Sequence, residues 1–277
     1  MQKQERLWFL KWIMYAMLIA YSVITLVPFL WALSSSFKTL SEIVAGGLNF
    51  IPKHFTFQNY SDIFIREPLF LRWMYNSMLV AVIATASNLF INSLSGYALA
   101  RVNFLGNKTM FLLILAVQMI PGQLTIVPAY LILKQLGMLN SYYALTLPVM
   151  ANATFIFMMR QFFINFPKEL EEAAELDGLS RFGTFLRVAL PLAGPALAAQ
   201  TIFIFMGTWN EFLKPLMFVS DKSMFTLPLG LNTFKGQMIS YWNYIMAASM
   251  VFTIPAIIIY AFFNRFFIKG ITFTGTK

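Results

Sequence analysis

Five of the chain's eleven acidic residues crowd into one short stretch: Glu169, Glu171, Glu172, Glu175 and Asp177. With Arg160, Lys168, Arg181 and Arg187 they make nine charged positions in the 28 residues from Arg160 to Arg187, a density unmatched elsewhere in the sequence. Carboxylates at such spacing could do acid–base work, hold a cation or meet a basic partner surface. The first two uses find no support nearby. The one histidine, His54, lies in a different segment, where a solvated or locally hydrogen-bonded role is expected, and the sequence has no HExxH pattern. The chain contains no cysteine, which excludes a thiolate nucleophile, a disulfide framework and a cysteine metal site. Gly106-Asn107-Lys108-Thr109 ends like a phosphate-binding loop but lacks the first glycine at the required spacing. Arg101 and Lys108 beside it read as membrane anchors.

The acidic stretch has the marks of a helical hairpin. Pro167 suits a first helical turn, Glu169, Glu171 and Glu172 complement a helix N-terminus, and Gly178 stops the helix after Asp177. A helix of about ten residues is expected, with a small apolar face of Leu170, Ala173 and Ala174 that would let a foreign surface approach. Ser180 can cap a second short helix bearing the stripe Phe182, Phe185, Leu186 and Ala189, and Pro191 is expected to open the next long helix. Helices this short are marginal in water, so the hairpin should be held against something.

Around the hairpin the sequence is written for lipid. Charged residues make up 11% against roughly 25% in soluble domains, and 59% of positions are hydrophobic. Six uncharged runs of 22 to 29 residues pass the length needed to cross a bilayer, and the next longest, Ser223 to Phe234, has 12. These predict an all-α integral membrane protein with six transmembrane helices near 12–33, 73–100, 109–133, 138–160, 189–213 and 243–265, forming one domain. The basic stretch before the first run resembles a signal peptide, but the run is too long and Leu33-Ser34-Ser35-Ser36 is a poor cleavage site, so a retained helix is expected. Residues 1–11, 101–108, 160–187 and 265–277 carry 12 basic residues in 60, whereas 34–72, 134–140 and 214–244 carry 8 in 77. The positive-inside rule then places both termini and the 160–187 loop in the cytoplasm. The net charge of +9 is spread over these loops without interleaved aromatics, which argues against nucleic acid.

Prolines 28, 121, 128, 148, 195 and 255 fall inside the runs and should kink them, most strongly at Pro121-Gly122, which is either a hinge or a bend in a packed helix. The polar residues within the runs are neutral. Asn88, Asn92, Gln118, Asn152 and Asn210, with Trp209, are candidates for a solute pathway, although intramembrane amides also serve to bond helices together. Glu211, at the end of the fifth run, suits a gate or a water-exposed helix end. A proton-coupled carrier would need an ionisable group deep in a run, and all six lack one.

Glu172-Ala173-Ala174, three residues, Gly178, nine residues, then Val188-Ala189-Leu190-Pro191 resembles the EAA motif of importer permeases, with valine where that pattern has isoleucine. Thr208-Trp209-Asn210-Glu211-Phe212-Leu213, Pro215-Leu216, Tyr75-Asn76-Ser77, Ile120-Pro121 and the closing Phe267-Ile268-Lys269-Gly270-Ile271-Thr272 are similar to the MalG-type carbohydrate permeases. The tail after Thr272 departs from the small-residue tail of that group. The resemblance implies a type I ABC importer permease architecture in a bacterial cell membrane. Glu172, Ala173, Ala174, Gly178, Leu190 and Pro191, with Asp177 flanking, would form a cytoplasmic coupling helix seated in a cleft of an ATPase dimer. It also implies a second MalF-like permease subunit, an extracellular solute-binding protein and a sugar substrate. ATP and magnesium would bind the ATPase, and this chain would bind no cofactor and no metal.

Overall fold

The computed structural model describes residues 2–47, 49–235 and 240–273, with side chains for 8, 10–47, 49–235 and 240–264. The tail beyond 273 lies outside the described residues, as do the side chains of the closing Phe267–Thr272 stretch. The described residues are almost wholly helical, with a single isolated bridge between Lys235 and Ser240.

Three helices are long and apolar enough to cross a membrane unbroken: Leu10–Ser35, Phe70–Arg101 and Trp242–Asn264. Three further pairs reach that length only together: Asn107–Gln118 with Gly122–Gln135, Tyr142–Val149 with Ala153–Ile164, and Arg181–Leu192 with Gly194–Trp209. Their bends are 96°, 40° and 77°. Taking each bent pair as one crossing gives six spans, numbered here in chain order.

The prolines act unevenly, and position explains why. Pro28 and Pro255 sit inside helices that continue through them. Pro128 falls in the first turn of Ile126–Gln135, where its missing N–H has no helical partner to lose. Pro195 likewise opens Gly194–Trp209 instead of breaking it, so the fifth span bends at Ala193, and Pro191 lies before that bend. Pro121 alone of these stands in the gap between two halves of a span, the third, while Pro148 lies in the short turn Leu147–Val149 that precedes the bend of the fourth.

The chain divides into two compact units. One comprises residues 1–68 and 231–253. Within it the first span is exposed over most of its length, and two of its hydroxyls turn back on their own helix: Ser22 Oγ donates to the Leu18 carbonyl at 2.8 Å and Thr25 Oγ1 to that of Tyr21 at 3.0 Å. The segment after it is locally ordered. Glu42 accepts from the N–H groups of Lys53 at 2.9 Å and His54 at 3.3 Å, and the Lys53 bond holds its carboxyl below the ordinary range. Asn59 is buried, donates to the Ser36 and Lys38 carbonyls at 2.8 Å each, and accepts from Asn243 at 2.7 Å.

The other unit comprises residues 69–230 and 254–277 and is organised on the second span, Phe70–Arg101. Glycine sets how closely its neighbour approaches: a Cβ on Gly96 would stand 2.6 Å from that of Met159 in the fourth span, so the two backbones meet with nothing between them. Mid-span, Asn92 is fully buried, donates to Asn88 Oδ1 at 3.0 Å and accepts from the Asn152 N–H at 3.1 Å. At the Phe70 end, Trp73 Nε1 donates to the Lys222 carbonyl at 2.7 Å. Asn76 donates to the carbonyls of Ser223 and Phe225 at 2.8 and 2.9 Å and accepts from Tyr142 at 2.7 Å. Ser77 Oγ accepts from the Leu227 N–H at 2.7 Å. The segment after the fifth span is thereby stitched to the start of the second.

Candidate functional site

The acidic segment folds as a hairpin. Helix Lys168–Leu176 follows Pro167, with Glu169 and Glu171 in its first turn. It ends in a Schellman arrangement: Gly178 adopts φ +83°, its N–H donates to the Glu175 carbonyl at 3.0 Å, and the Leu179 N–H donates to that of Ala174 at 3.0 Å. Ser180 then caps Arg181–Thr184 by accepting from the Gly183 N–H at 3.2 Å. A π-helical turn, Phe185–Ala189, carries the chain toward the bend at Ala193. The hairpin rests on an aromatic floor in which Tyr97 of the second span lies 5.3 Å from both Phe163 and Phe185.

Glu172, Ala173, Asp177 and Gly178 are exposed around the hairpin tip, and Leu176 is 90% exposed. Ala174 corrects the sequence expectation: it is buried, so the free apolar surface of this helix consists of Leu170, Ala173 and Leu176. The second helix's stripe splits for the same reason. Phe185 and Ala189 are buried in the floor, whereas Phe182 and Leu186 remain exposed. Leu190 packs half-buried against that floor, and Pro191 is exposed.

A cleft of roughly 270 Å³ lies under the hairpin, between it and the end of the second span, lined by Arg101, Lys168, Glu171, Glu172, Glu175 and Arg181 among others. Arg101 Nε stands 3.1 Å from Glu171 Oε1, with both side chains largely buried. The same guanidinium donates to the Phe166 carbonyl, and Arg181 reaches the Arg101 carbonyl at 3.5 Å. Burial raises the Glu171 carboxyl above the ordinary range, with Arg101 opposing that shift.

The second site is a cavity of roughly 700 Å³ bounded by the second to fifth spans and the loop after the fifth. Pro121 and Gly122 form part of its wall at the third-span break. Its polar lining consists of Asn88, Gln118 and Asn152, the threonines 125, 154, 208 and 226, and the pair Glu211 and Lys214. Among the described residues those two are its only ionisable lining groups, and they neutralise each other across 2.9 Å. Gln118 is exposed and its side-chain amide makes no hydrogen bond among the described residues, whereas Asn152 Oδ1 is engaged in capping the fourth-span helix through the Thr154 N–H at 2.9 Å.

The fold as a whole matches the crystal structure of a bacterial ABC transporter involved in the import of the acidic polysaccharide alginate. The TM-score is 0.82 over 92% of this chain and 95% of that one, at 23% identity. Residues 92–273 match the family model described as binding-protein-dependent transport system inner membrane component. The chain belongs to that family. Relatives extend over nearly its whole length. This permease is 34% identical to the arabinooligosaccharides transport system permease protein AraQ of Halalkalibacterium halodurans, covering 97% of each chain. It is 35% identical to the inner membrane ABC transporter permease protein YcjP of Escherichia coli, covering 95% of each. It is also 35% identical to the sulfoquinovosyl glycerol transport system permease protein SmoH of Agrobacterium fabrum, covering 91% of this chain and 89% of that one.

The permease brings Asn88, Gln118, Asn152, Glu211, Pro121 and Gly122 together around one cavity and leaves three expected pathway residues out. Asn92 stands behind the wall, holding Asn88 and the Asn152 backbone. Trp209 is 1% exposed and stacks on Phe205 at 5.7 Å. Asn210 turns back to the Met206 carbonyl at 2.8 Å. Lys214 and threonines 125, 154 and 226 were not singled out from sequence, and Thr208 entered only within the stretch that carries the family resemblance, because hydroxyls are common in packed helices and nothing local marks the ones that face a void. Arg101 read as a membrane anchor, and its position one residue past an uncharged run was the only available signal.

Proposed function

We propose that this chain is a membrane-spanning subunit of an ATP-driven importer of sugars or oligosaccharides, with both termini and the hairpin in the cytoplasm of a bacterial cell. The exposed acidic tip, Glu172-Ala173 to Asp177-Gly178, carries the reading. It offers carboxylates and small side chains to a basic, concave partner surface, as a coupling helix would to an ATPase dimer. ATP and magnesium would bind that dimer, whose closure carries the hairpin with it and exchanges inward-facing for outward-facing arrangements of the broken spans. A nucleotide shifts such an equilibrium only by its differential affinity for the two states.

The cavity supports a carbohydrate cargo. Amides, threonine hydroxyls and a self-neutralised ion pair suit a hydroxyl-rich solute without net charge, and several relatives are named for saccharide or glycoside transport. A second permease subunit would complete the enclosure, and a solute-binding protein would deliver cargo from outside.

The test is uptake by vesicles containing this chain with the proteins encoded beside it, using a panel of neutral oligosaccharides. ATP-dependent uptake is expected, and Glu172→Lys or Gly178→Pro should remove both uptake and solute-stimulated hydrolysis while the protein stays in the membrane. Uptake that survives both substitutions, or that an uncoupler abolishes while ATP is maintained, overturns the reading.

A further inference from the structure

The hairpin meets the rest of its unit in two chemically different ways. The aromatic floor involves Phe163, Phe166 and Phe185, which flank helix Lys168–Leu176 without belonging to it. The ion pair between Arg101 and Glu171 starts from that helix itself. Arg101 is the last residue of the second span, so a force on Glu171 is delivered to the end of a continuous helix of 32 residues. About 20 Å along it, at 1.5 Å per residue, stands Asn88 in the cavity wall, bonded through Asn92 to the break of the fourth span.

We propose that Arg101 is the positioning residue through which the hairpin moves the second span, and with it the cavity wall. The proposal rests on the coupling role assigned above to the hairpin. The guanidinium is built for this task because it holds two parts of the hairpin at once: the Glu171 carboxylate on the helix and the Phe166 carbonyl on the turn before it. Arg181 adds a third strand to the connection by reaching the Arg101 carbonyl from the hairpin's second limb. The contact is also adjustable. Arg101 Nε and Glu171 Oε1 lie within ion-pair distance without a well-aligned hydrogen bond between them, and a cleft lies beside the pair. Attraction between charges is less directional than a hydrogen bond, so the tie can persist while the helix swings.

The chain's lack of cysteine makes the proposal directly testable. Thr125, exposed in the cavity wall, is replaced by cysteine, and the whole transporter is labelled with a maleimide with and without magnesium AMP-PNP. With no other change, nucleotide should alter the labelling rate by about fivefold or more, the lower end of ordinary coupling free energies. Arg101→Glu and Glu171→Arg should each reduce that response to less than about twofold while the ATPase subunit still co-purifies, and combining them should restore part of it, because the ion pair returns while the bond to the Phe166 carbonyl does not. A response that survives either single reversal, a double reversal no better than the singles, or loss of the ATPase from either variant overturns the role of Arg101. Gly178→Pro, tested in parallel, separates this from the reading beneath it. If that substitution also leaves the nucleotide response intact, the hairpin is not the coupling element; if it abolishes the response while the reversals do not, only the assignment to Arg101 falls.

Discussion

The two ends of the second span are fastened by opposite chemistries. At the Phe70 end, Phe70, Trp73 and Asn76 are fully buried, and the fastening is neutral hydrogen bonding: the Trp73 indole, both donors and the acceptor of Asn76, and Ser77 Oγ each have a short, identified partner. Gly230 lies so close to the Trp73 ring that an added Cβ would stand 2.1 Å from it. At the Arg101 end the fastening is an ion pair beside an open cleft, with one atom of each partner lacking a hydrogen bond. A buried, saturated set of neutral bonds is costly to open and fixes one geometry. An attraction between charges is less directional than a hydrogen bond, so the pair tolerates more than one geometry beside the cleft. The difference marks the Phe70 end as an anchor and the Arg101 end as a movable joint.

Breaking the anchor should have the largest effect. Trp73→Ala removes a fully buried ring and should cost about 3–5 kcal/mol, seen as a large fall in the detergent unfolding temperature. Little loss of stability there would remove the distinction between the ends. Asn76→Leu is of comparable size, since it strands the Ser223 and Phe225 carbonyls and the Tyr142 hydroxyl; each orphaned group costs about 1–3 kcal/mol. Arg101→Lys sharpens the contrast. It keeps the charge but loses the fork that also holds the Phe166 carbonyl, and should cost only about 1 kcal/mol of stability while weakening solute-stimulated ATP hydrolysis. Gly178→Ala comes next at about 1 kcal/mol, because alanine must enter the left-handed region although its Cβ meets nothing within 4 Å. Faster amide exchange confined to the hairpin would report it.

The smallest effect is that of pH. Burial raises the Glu171 carboxyl against the pull of Arg101, so its folded value lies above its unfolded one. The folded state therefore favours the neutral acid, and stability from this group is gained, not lost, as pH falls through the raised value. Acid should loosen the joint at a pH higher than an ordinary glutamate would need, without unfolding the hairpin. A pH titration of nucleotide-dependent labelling beside one of thermal stability would show the first falling while the second holds.

The hairpin was legible in sequence because its instructions are local. Pro167 before the helix, carboxylates in its first turn, Gly178 with φ +83° and Ser180 as a cap each act within a few residues of where they stand. Hydrophobic run length was likewise enough to place six candidate spans, since the bilayer imposes one dimension on all of them. Span geometry was less legible. A proline's effect depends on whether it falls in a first turn, as Pro128 does, or at a break, as Pro121 does, and run length does not distinguish the two.

What the sequence determined by itself was therefore chemistry read along the chain: an apolar protein of the permease family, an acidic hairpin with defined start and stop, and an absence of cysteine. Tertiary structure alone decided which faces were used. It turned Ala174 inward, hid Asn92 and Trp209 behind the wall that Asn88 and Gln118 line, and set Arg101 against Glu171. Those outcomes depend on contacts between residues distant in the chain, and helical periodicity fixes a residue's angle on its own helix without saying which neighbour that angle will meet.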